Sequence, residues 1–376
     1  LKNSATENLQ MIKKAGNLLF MLFVTYVCIE LVCFLFMKFK FKSAPRPDFH
    51  YSSTYNKYDF PFAEINKDWG MWHYPEKHVE TRSCFNVEYT TNSYGARDQE
   101  RQRVGDTNRI VLLGDSFMEG YGLDTSQRFS NQLQSLLHKP VMNFSCGYFT
   151  PTQEMLVYQR LASDFSHNAV IIGILPFNDF AEDDTSFHEN DGFIHYQPYL
   201  VGSYPNYNLM YRADSLYKST FNKEGYFRLQ NSSAEKRKRF LKSFTYWYNL
   251  YHYLAAINAR PAQMSRYSGY FDYTSAQIEK LTYVLTQIKS IAGNRKVYVI
   301  TIPVRQDFDR SENAAPPLPE AMREICKMLG LNYLDLLETY KAAGEDPASL
   351  YLECDGHWNE KANKLAAQKV LNLLRN

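Results

Sequence analysis

From Arg109 onward, short apolar runs alternate with amphipathic segments, and this alternation leaves few folds open. Arg109–Leu113 (RIVLL), Val141–Ser145, Ala169–Leu175 (AVIIGIL), Val297–Ile302 (VYVITI) and Asn332–Leu336 read as strands. Their apolar character is continuous rather than alternating, which suits strands covered on both faces of a parallel sheet. Phe129–Leu137, Gln153–Phe165, Thr274–Ile291, Pro319–Leu329 and Glu360–Leu374 read as helices. In Thr274–Ile291, the residues Ile278, Leu281, Leu285 and Ile288 fall on one face. The pattern predicts an α/β fold, a central parallel sheet with helices on both sides. A tyrosine-dense insertion, residues 180–273, follows the third strand.

A second constraint lies near the start. Gly16–Met37 (GNLLFMLFVTYVCIELVCFLFM) would span roughly 33 Å as a helix, enough for a hydrocarbon core of about 30 Å. It is longer than the apolar part of a signal peptide and lacks a small-residue cleavage site at its end, so we read it as a retained transmembrane anchor. Lys13 and Lys14 precede it, and Lys38, Lys40 and Lys42 follow, so flanking charge does not orient it. Glu30 inside the span is costly and points to a partner contact or to headgroup exposure. The proline-bearing stretch Ala44–Asp48 marks a boundary, and Phe49–Gln99 reads as short strands and turns. The expected organisation is therefore a tail and anchor over 1–43, a linker and short-strand segment packing on the catalytic domain over 44–108, and a catalytic domain with its insertion over 109–376.

Composition excludes several classes. Lys and Arg total 42 against 40 Asp and Glu, a balance that gives no electrostatic case for nucleic-acid binding. The 6 Cys include no CxxC pair and no zinc-finger spacing, so no metal site is expected, and most cysteines are expected to be free and buried. There is no P-loop, no complete GxGxxG, no HExxH and no GxSxG, and no cofactor is expected.

What remains is Gly114-Asp115-Ser116, directly after the first strand, where open parallel sheets bind ligands. A serine there is a candidate nucleophile, but it needs a neighbouring base. Asp355-Gly356-His357, on a loop before the last helix, supplies a candidate base and a carboxylate to orient it. The Ser116 N–H, the Gly147 N–H and the Asn178 side chain, each at a strand end, are candidate oxyanion donors.

Gly114-Asp115-Ser116, Gly147, Asn178-Asp179 and Asp355-Gly356-His357, in this order, resemble the four conserved blocks of the SGNH, or GDSL-like, hydrolases. The resemblance runs from about Arg109 to Asn376, excluding the insertion. It implies a flavodoxin-like three-layer α/β/α sandwich, with Ser116 as nucleophile, His357 as base, Asp355 as its orienter, and Gly147 and Asn178 in the oxyanion hole. Upstream, Asn92-Ser93-Tyr94-Gly95-Ala96-Arg97-Asp98 resembles the NSxGxRD segment of membrane-anchored members from bacterial surface-polysaccharide systems. That likeness implies a serine esterase or O-acyltransferase acting outside the cytoplasm on acyl esters, acetyl above all, of a cell-surface carbohydrate. It further implies an acyl donor delivered by a membrane-embedded acyltransferase partner. The competing readings are a non-enzymatic glycan-binding or assembly subunit with an idle triad, and a lipid esterase.

Two positions depart from the family pattern. Met118 and Glu119 stand where relatives carry a small hydroxyl residue and an aromatic, which implies a different acyl pocket. Glu119 itself reads as a solvated helix-start residue. Arg97 reads as a partner for a carboxylate or an anionic sugar, and Asp179 as a residue holding its loop. Glu182, Asp183 and Asp184 with His188, Glu189 and Asp191 fit no standard metal spacing and read as a solvated acidic loop. The basic run Lys236–Arg239, followed by Tyr246, Trp247, Tyr248, Tyr251 and Tyr253, suits either a membrane surface or a charged turn before a packed helix.

Overall fold

The structure, a computed structural model, describes residues 2–41, 44–47, 49, 51, 63–66, 68–73, 78–81, 84–184, 197–212, 231–259 and 267–375. Helix α1 spans Lys2–Phe39. Two antiparallel hairpins follow: β1 (Ala63–Asn66) with β2 (Gly70–His73), and β3 (His78–Thr81) with β4 (Asn86–Tyr89). Next come β5 (Ile110–Leu113), α2 (Ser116–Glu119), α3 (Phe129–Leu137), β6 (Val141–Asn143), α4 (Pro151–Arg160), β7 (Ala169–Ile174) and α5 (Pro176–Glu182). A third hairpin, β8 (Gln197–Ser203) with β9 (Asn206–Arg212), precedes α6 (Ser233–Phe244) and α7 (Tyr246–Ala259). The chain continues through α8 (Ser275–Ala292), β10 (Lys296–Thr301), α9 (Arg305–Ser311), α10 (Leu318–Leu329), β11 (Asn332–Asp335), α11 (Leu336–Ala342) and α12 (Glu360–Arg375).

The chain divides into two compact units, Leu1–Ser53 with Ser232–Ala259, and Thr54–Asn231 with Arg260–Asn376. This differs from the three-part expectation. The stretch 232–259, expected as part of the sheet domain's insertion, belongs with α1, because its apolar side packs on that helix: Leu250 is buried with Met37 and Ala44. The hairpins within 44–108 fall in the second unit, with the sheet.

In the second unit the five predicted strands form one sheet, in the order β11-β10-β7-β5-β6, with every neighbouring pair parallel. This is the doubly wound order 2-1-3-4-5, whose direction reverses beside the first strand. Right-handed crossovers then place α3 on one face and α4, α8 and α10 on the other. The observed packing agrees: α3 packs on α12, and α4 on α8. The strands are covered on both sides, and β5, β6 and β7 are buried along their whole length. That is why their sequences lack polar alternation.

The carboxyl ends of β5 and β7 meet at the switch point over two glycines. A Cβ at Gly173 would lie 2.3 Å from Met118 Cε, and one at Gly114 2.5 Å from Met118 Cγ. Met118 is fully buried in that gap, so it fills core space and forms no wall of a substrate pocket. Gly173→Ala should cost about 1–3 kcal/mol by overpacking. Denaturant unfolding would check this, and the cost should shrink in a Met118→Ala background.

Candidate active site

The turn after β5 presents Ser116 because Asp115 caps the short helix α2: its Oδ1 accepts from Phe117 N at 2.9 Å. The loop after α11 brings the other partners. Tyr351 and Trp358 form an antiparallel bridge, and Leu352 N donates to His357 O at 2.8 Å, closing a tight turn around Asp355. Buried Trp358 pins that turn edge-on against Phe117, with ring centroids 5.5 Å apart. His357 Nε2 thereby lies 2.7 Å from Ser116 Oγ. Its Nδ1 donates to Asp355 Oδ1 in a short hydrogen bond, and Asp355 Oδ1 also accepts from His357 N at 3.0 Å. The imidazole is flanked by Tyr121 at 4.5 Å and Phe117 at 4.9 Å between ring centroids. The structure thus brings Ser116, His357 and Asp355 into one hydrogen-bonded chain.

The expected oxyanion donors fare differently. Among the described residues, Ser116 N–H makes no hydrogen bond. Asn178 lies at the start of α5, and its amide lies beside the Asp115 carboxyl, whose pKa it lowers. Gly147 approaches closely: a Cβ there would be 3.8 Å from Ser116 Cβ. Its N–H, however, donates to Glu119 Oε2 at 2.6 Å and is not aimed at an ester oxygen.

That result follows from a second correction. Glu119 is 1% exposed, not solvated. Burial alone would raise its carboxyl, but His73 and Arg97 nearby, with the Gly147 N–H, hold it down at about 2. The carboxylate needs donors, and Gly147 is one of them. His73 Nε2 lies 3.1 Å from Glu119 Oε1, and Nδ1 lies 3.1 Å from Gly95 O. Cys146 Sγ adjoins His73 Nε2 at 3.6 Å. His73, Glu119 and Cys146 form the one described group whose ligand atoms could share an ion, all within 4.8 Å of one another. They are already paired among themselves and with Gly147.

Arg97 is 1% exposed and meets neither a sugar nor a carboxylate directly. It donates to Gly120 O at 2.6 Å and Leu123 O at 2.7 Å, and lies 3.4 Å over the Tyr89 ring. Tyr89 Oη accepts from Gly122 N at 2.9 Å. The NSxGxRD segment and β4 therefore hold the loop that follows the serine helix. A disulfide adds to this grip, joining Cys84 to Cys354, the residue before Asp355. Cysteine spacing had not paired these two. Cys146 and Cys326 are free and buried as expected, whereas Cys28 is exposed.

Asp183, expected in a solvated loop, is 5% exposed and accepts from Thr150 Oγ1 at 3.1 Å and Thr152 Oγ1 at 3.0 Å. His188, Glu189 and Asp191 lie outside the described residues. Asp179 holds its turn, accepting from Leu175 N at 2.6 Å. Behind the serine, Asp115, Glu154 and Asp179 are buried near one another. Burial first, and their mutual repulsion second, raise Glu154 and Asp179 well above the carboxylate range; burial also raises Asp115. Asp115 Oδ2, both Glu154 oxygens and Asp179 Oδ1 have no hydrogen-bond partner among the described residues.

No protein-family model matches the chain, and no curated protein matches it. Among solved structures it is similar to the lipase/acylhydrolase from Enterococcus faecalis, at 11% identity over 71% of this chain and 95% of that one, TM-score 0.39. It is also similar to a member of the lipolytic protein G-D-S-L family from Veillonella parvula, at 10% identity over 71% and 98%, TM-score 0.36. A third is a carbohydrate esterase family 2 enzyme with a carbohydrate-binding domain from Corynascus thermopiles, at 10% identity over 74% and 69%, TM-score 0.36.

Two predictions follow from the surroundings of the serine. Glu154 binds its proton more tightly folded than unfolded, so wild-type stability falls as pH rises above its ordinary value of 4.5. Glu154→Gln removes that loss, and thermal melts should show the variant gaining on wild type from pH 5 to pH 8, by at most about 1.4 kcal/mol per pH unit. Cys84→Ser opens a loop of sequence separation 270 and should cost about 2–5 kcal/mol in denaturant unfolding.

Proposed function

We propose that the second unit is a serine esterase of the SGNH type, working through an acyl-enzyme. The observation that carries this reading is the Asp355–His357–Ser116 chain, with 2.7 Å between base and hydroxyl. Ser116 Oγ attacks the ester carbonyl carbon while His357 Nε2 takes its proton. Asp355 keeps the other ring nitrogen protonated and stabilises the imidazolium. The Ser116 N–H and the Asn178 amide meet the oxyanion, and Glu154 and Asp179 behind it, both raised well above the carboxylate range, place little like charge near the developing negative oxygen. His357 then protonates the departing alkoxide, leaving the acyl group on Ser116. Water attacks that ester in hydrolysis, and a sugar hydroxyl attacks it in transfer, with His357 again as base.

The substrate we assign is an acyl ester, acetyl in the first instance, of a cell-surface carbohydrate, with a membrane-embedded acyltransferase as the donor's source in the transfer reaction. Helix α1 carries a stretch, Met11–Phe39, long and apolar enough to cross a membrane, at mean hydropathy 2.5, and we read it as the anchor. The Cys84–Cys354 disulfide supports a catalytic unit outside the cytoplasm, where such bonds persist.

Intact mass after fluorophosphonate treatment of the full chain tests the nucleophile. One adduct on wild type and none on Ser116→Ala is expected, with ester turnover in the variant reduced about 10⁴-fold or more. Asn178→Ala should lose about 10²–10³-fold in kcat with little change in KM. Absence of an adduct on the wild type would overturn the esterase reading.

A further inference from the structure

In the first unit, Glu30 is not a stray charge in an apolar helix. Its Oε2 accepts from the backbone N–H of Tyr246 at 2.6 Å, the first residue of α7. A carboxylate at that position satisfies an otherwise unpaired helix donor and favours the positive end of the helix. From this point onward α7 runs alongside the end of α1. Phe34 meets Tyr246 edge-on at 5.3 Å, Met37 is buried with Leu250, and Phe41 meets Tyr253 at 6.1 Å. Phe49 N donates to Ser243 O at 3.0 Å, so the chain leaving α1 also returns to this level.

Before Glu30 the picture is different. Leu18 to Leu22 are at least 55% exposed, and Val24, Tyr26, Val27 and Ile29 are each above 40% exposed. From Gly16 to Ile29 no face of α1 is covered; beyond Glu30 one face is covered, at Cys33, Phe34 and Met37, while Leu31, Val32, Leu35, Phe36 and Phe39 remain exposed on the rest of the apolar span.

The helix preceding α7 has the composition of a headgroup-facing element. Helix α6 carries Lys236, Arg237, Lys238, Arg239 and Lys242 against a single acid, Glu235, which pairs with Lys238. Arg237, Lys238 and Lys242 are exposed, and so is Phe240 at 48%. Helix α6 ends at Phe244, two residues before the Tyr246 N–H that Glu30 accepts from. Helix α7 contains no Asp, Glu, Lys or Arg and adds Trp247, Tyr248 and Tyr251, residue types that favour the membrane interface.

We infer that α6 and α7 form a collar seated on an anionic bilayer surface beside α1. Lipid headgroups are its partner: the cations of α6 face the phosphates, and the aromatics of α7 lie at the acyl-chain boundary. This inference rests on the membrane reading of α1 and not on the esterase reading.

Trp247 provides the test, because three of the 4 tryptophans, Trp69, Trp72 and Trp358, are buried in the other unit. The full chain is reconstituted in phosphatidylcholine vesicles, with and without phosphatidylglycerol, containing lipids brominated near the headgroup end of their acyl chains. Carbonate-resistant flotation confirms α1 insertion independently. Bromine quenching of tryptophan emission is expected, lost in Trp247→Phe and stronger with the anionic lipid. Each cation held at an anionic surface strengthens attachment about five-fold, so K236Q/R237Q/K238Q/K242Q should remove the anionic enhancement. Equal quenching in wild type and Trp247→Phe overturns the collar, as does quenching indifferent to lipid charge. Trp247 shielded only when a second membrane protein is present would make a protein its partner and also overturn it. Fluorophosphonate labelling of Ser116 is unaffected in every arm.

Discussion

The 2.7 Å contact between His357 Nε2 and Ser116 Oγ joins residues 241 apart in sequence, and much of the second unit serves to close that distance. One partner is set by β5, whose end is fixed at the switch point by buried Met118 over Gly114 and Gly173. The other is set by a turn with no regular secondary structure of its own. It is held instead by the Tyr351–Trp358 bridge, the Trp358 ring against Phe117, and the disulfide at Cys354. The hairpin carrying Cys84 therefore supports both sides. Phe85 packs edge-on to Tyr121 at 5.5 Å, which stacks on His357, and Tyr89 lies under Arg97, which binds the loop after the serine.

Electrostatics divides the carboxyls around the serine into two regimes. Glu119 is charged because His73, Arg97 and the Gly147 N–H surround it. Glu154 and Asp179 are pushed well above the carboxylate range by burial first and by neighbouring carboxyls second, while burial raises Asp115 to about 6. The division matters for a reaction that builds negative charge beside Ser116. A second uncompensated carboxylate there would oppose the transition state, whereas protonated carboxyls oppose it little. The same pairing engages the Gly147 N–H with Glu119 Oε2.

The sheet was legible in the sequence because its strands are continuous apolar runs, and β5, β7 and β10 begin within a residue of where those runs start. The triad was legible because Gly114-Asp115-Ser116 and Asp355-Gly356-His357 sit at element boundaries, where local turns expose side chains. Contacts made over long sequence separations were not. Glu119 looks solvated because a carboxylate near a helix start usually is; only His73, 46 residues away, buries it. The Cys84–Cys354 bond leaves no spacing signature, although Cys354 beside Asp355 was a hint that the turn needed an external hold. The family resemblance put Gly147 in the oxyanion hole by position, and position could not tell where its N–H points.

The assignment of 232–259 to the anchor unit bears on how the protein can be handled. The chain passes between units at 53/54, 231/232 and 259/260, so the anchor is not a detachable N-terminal appendage. Removing residues 1–41 would strip Leu250, Tyr246 and Tyr253 of Met37, Phe34 and Phe41, and would leave the α7 N-terminus without Glu30. An apolar helix face of that kind, uncovered in water, favours association with other surfaces. A fragment beginning at residue 44 would then report on aggregation as much as on catalysis. The proposed esterase activity is best measured on the full chain, where α1 keeps its packing against α7.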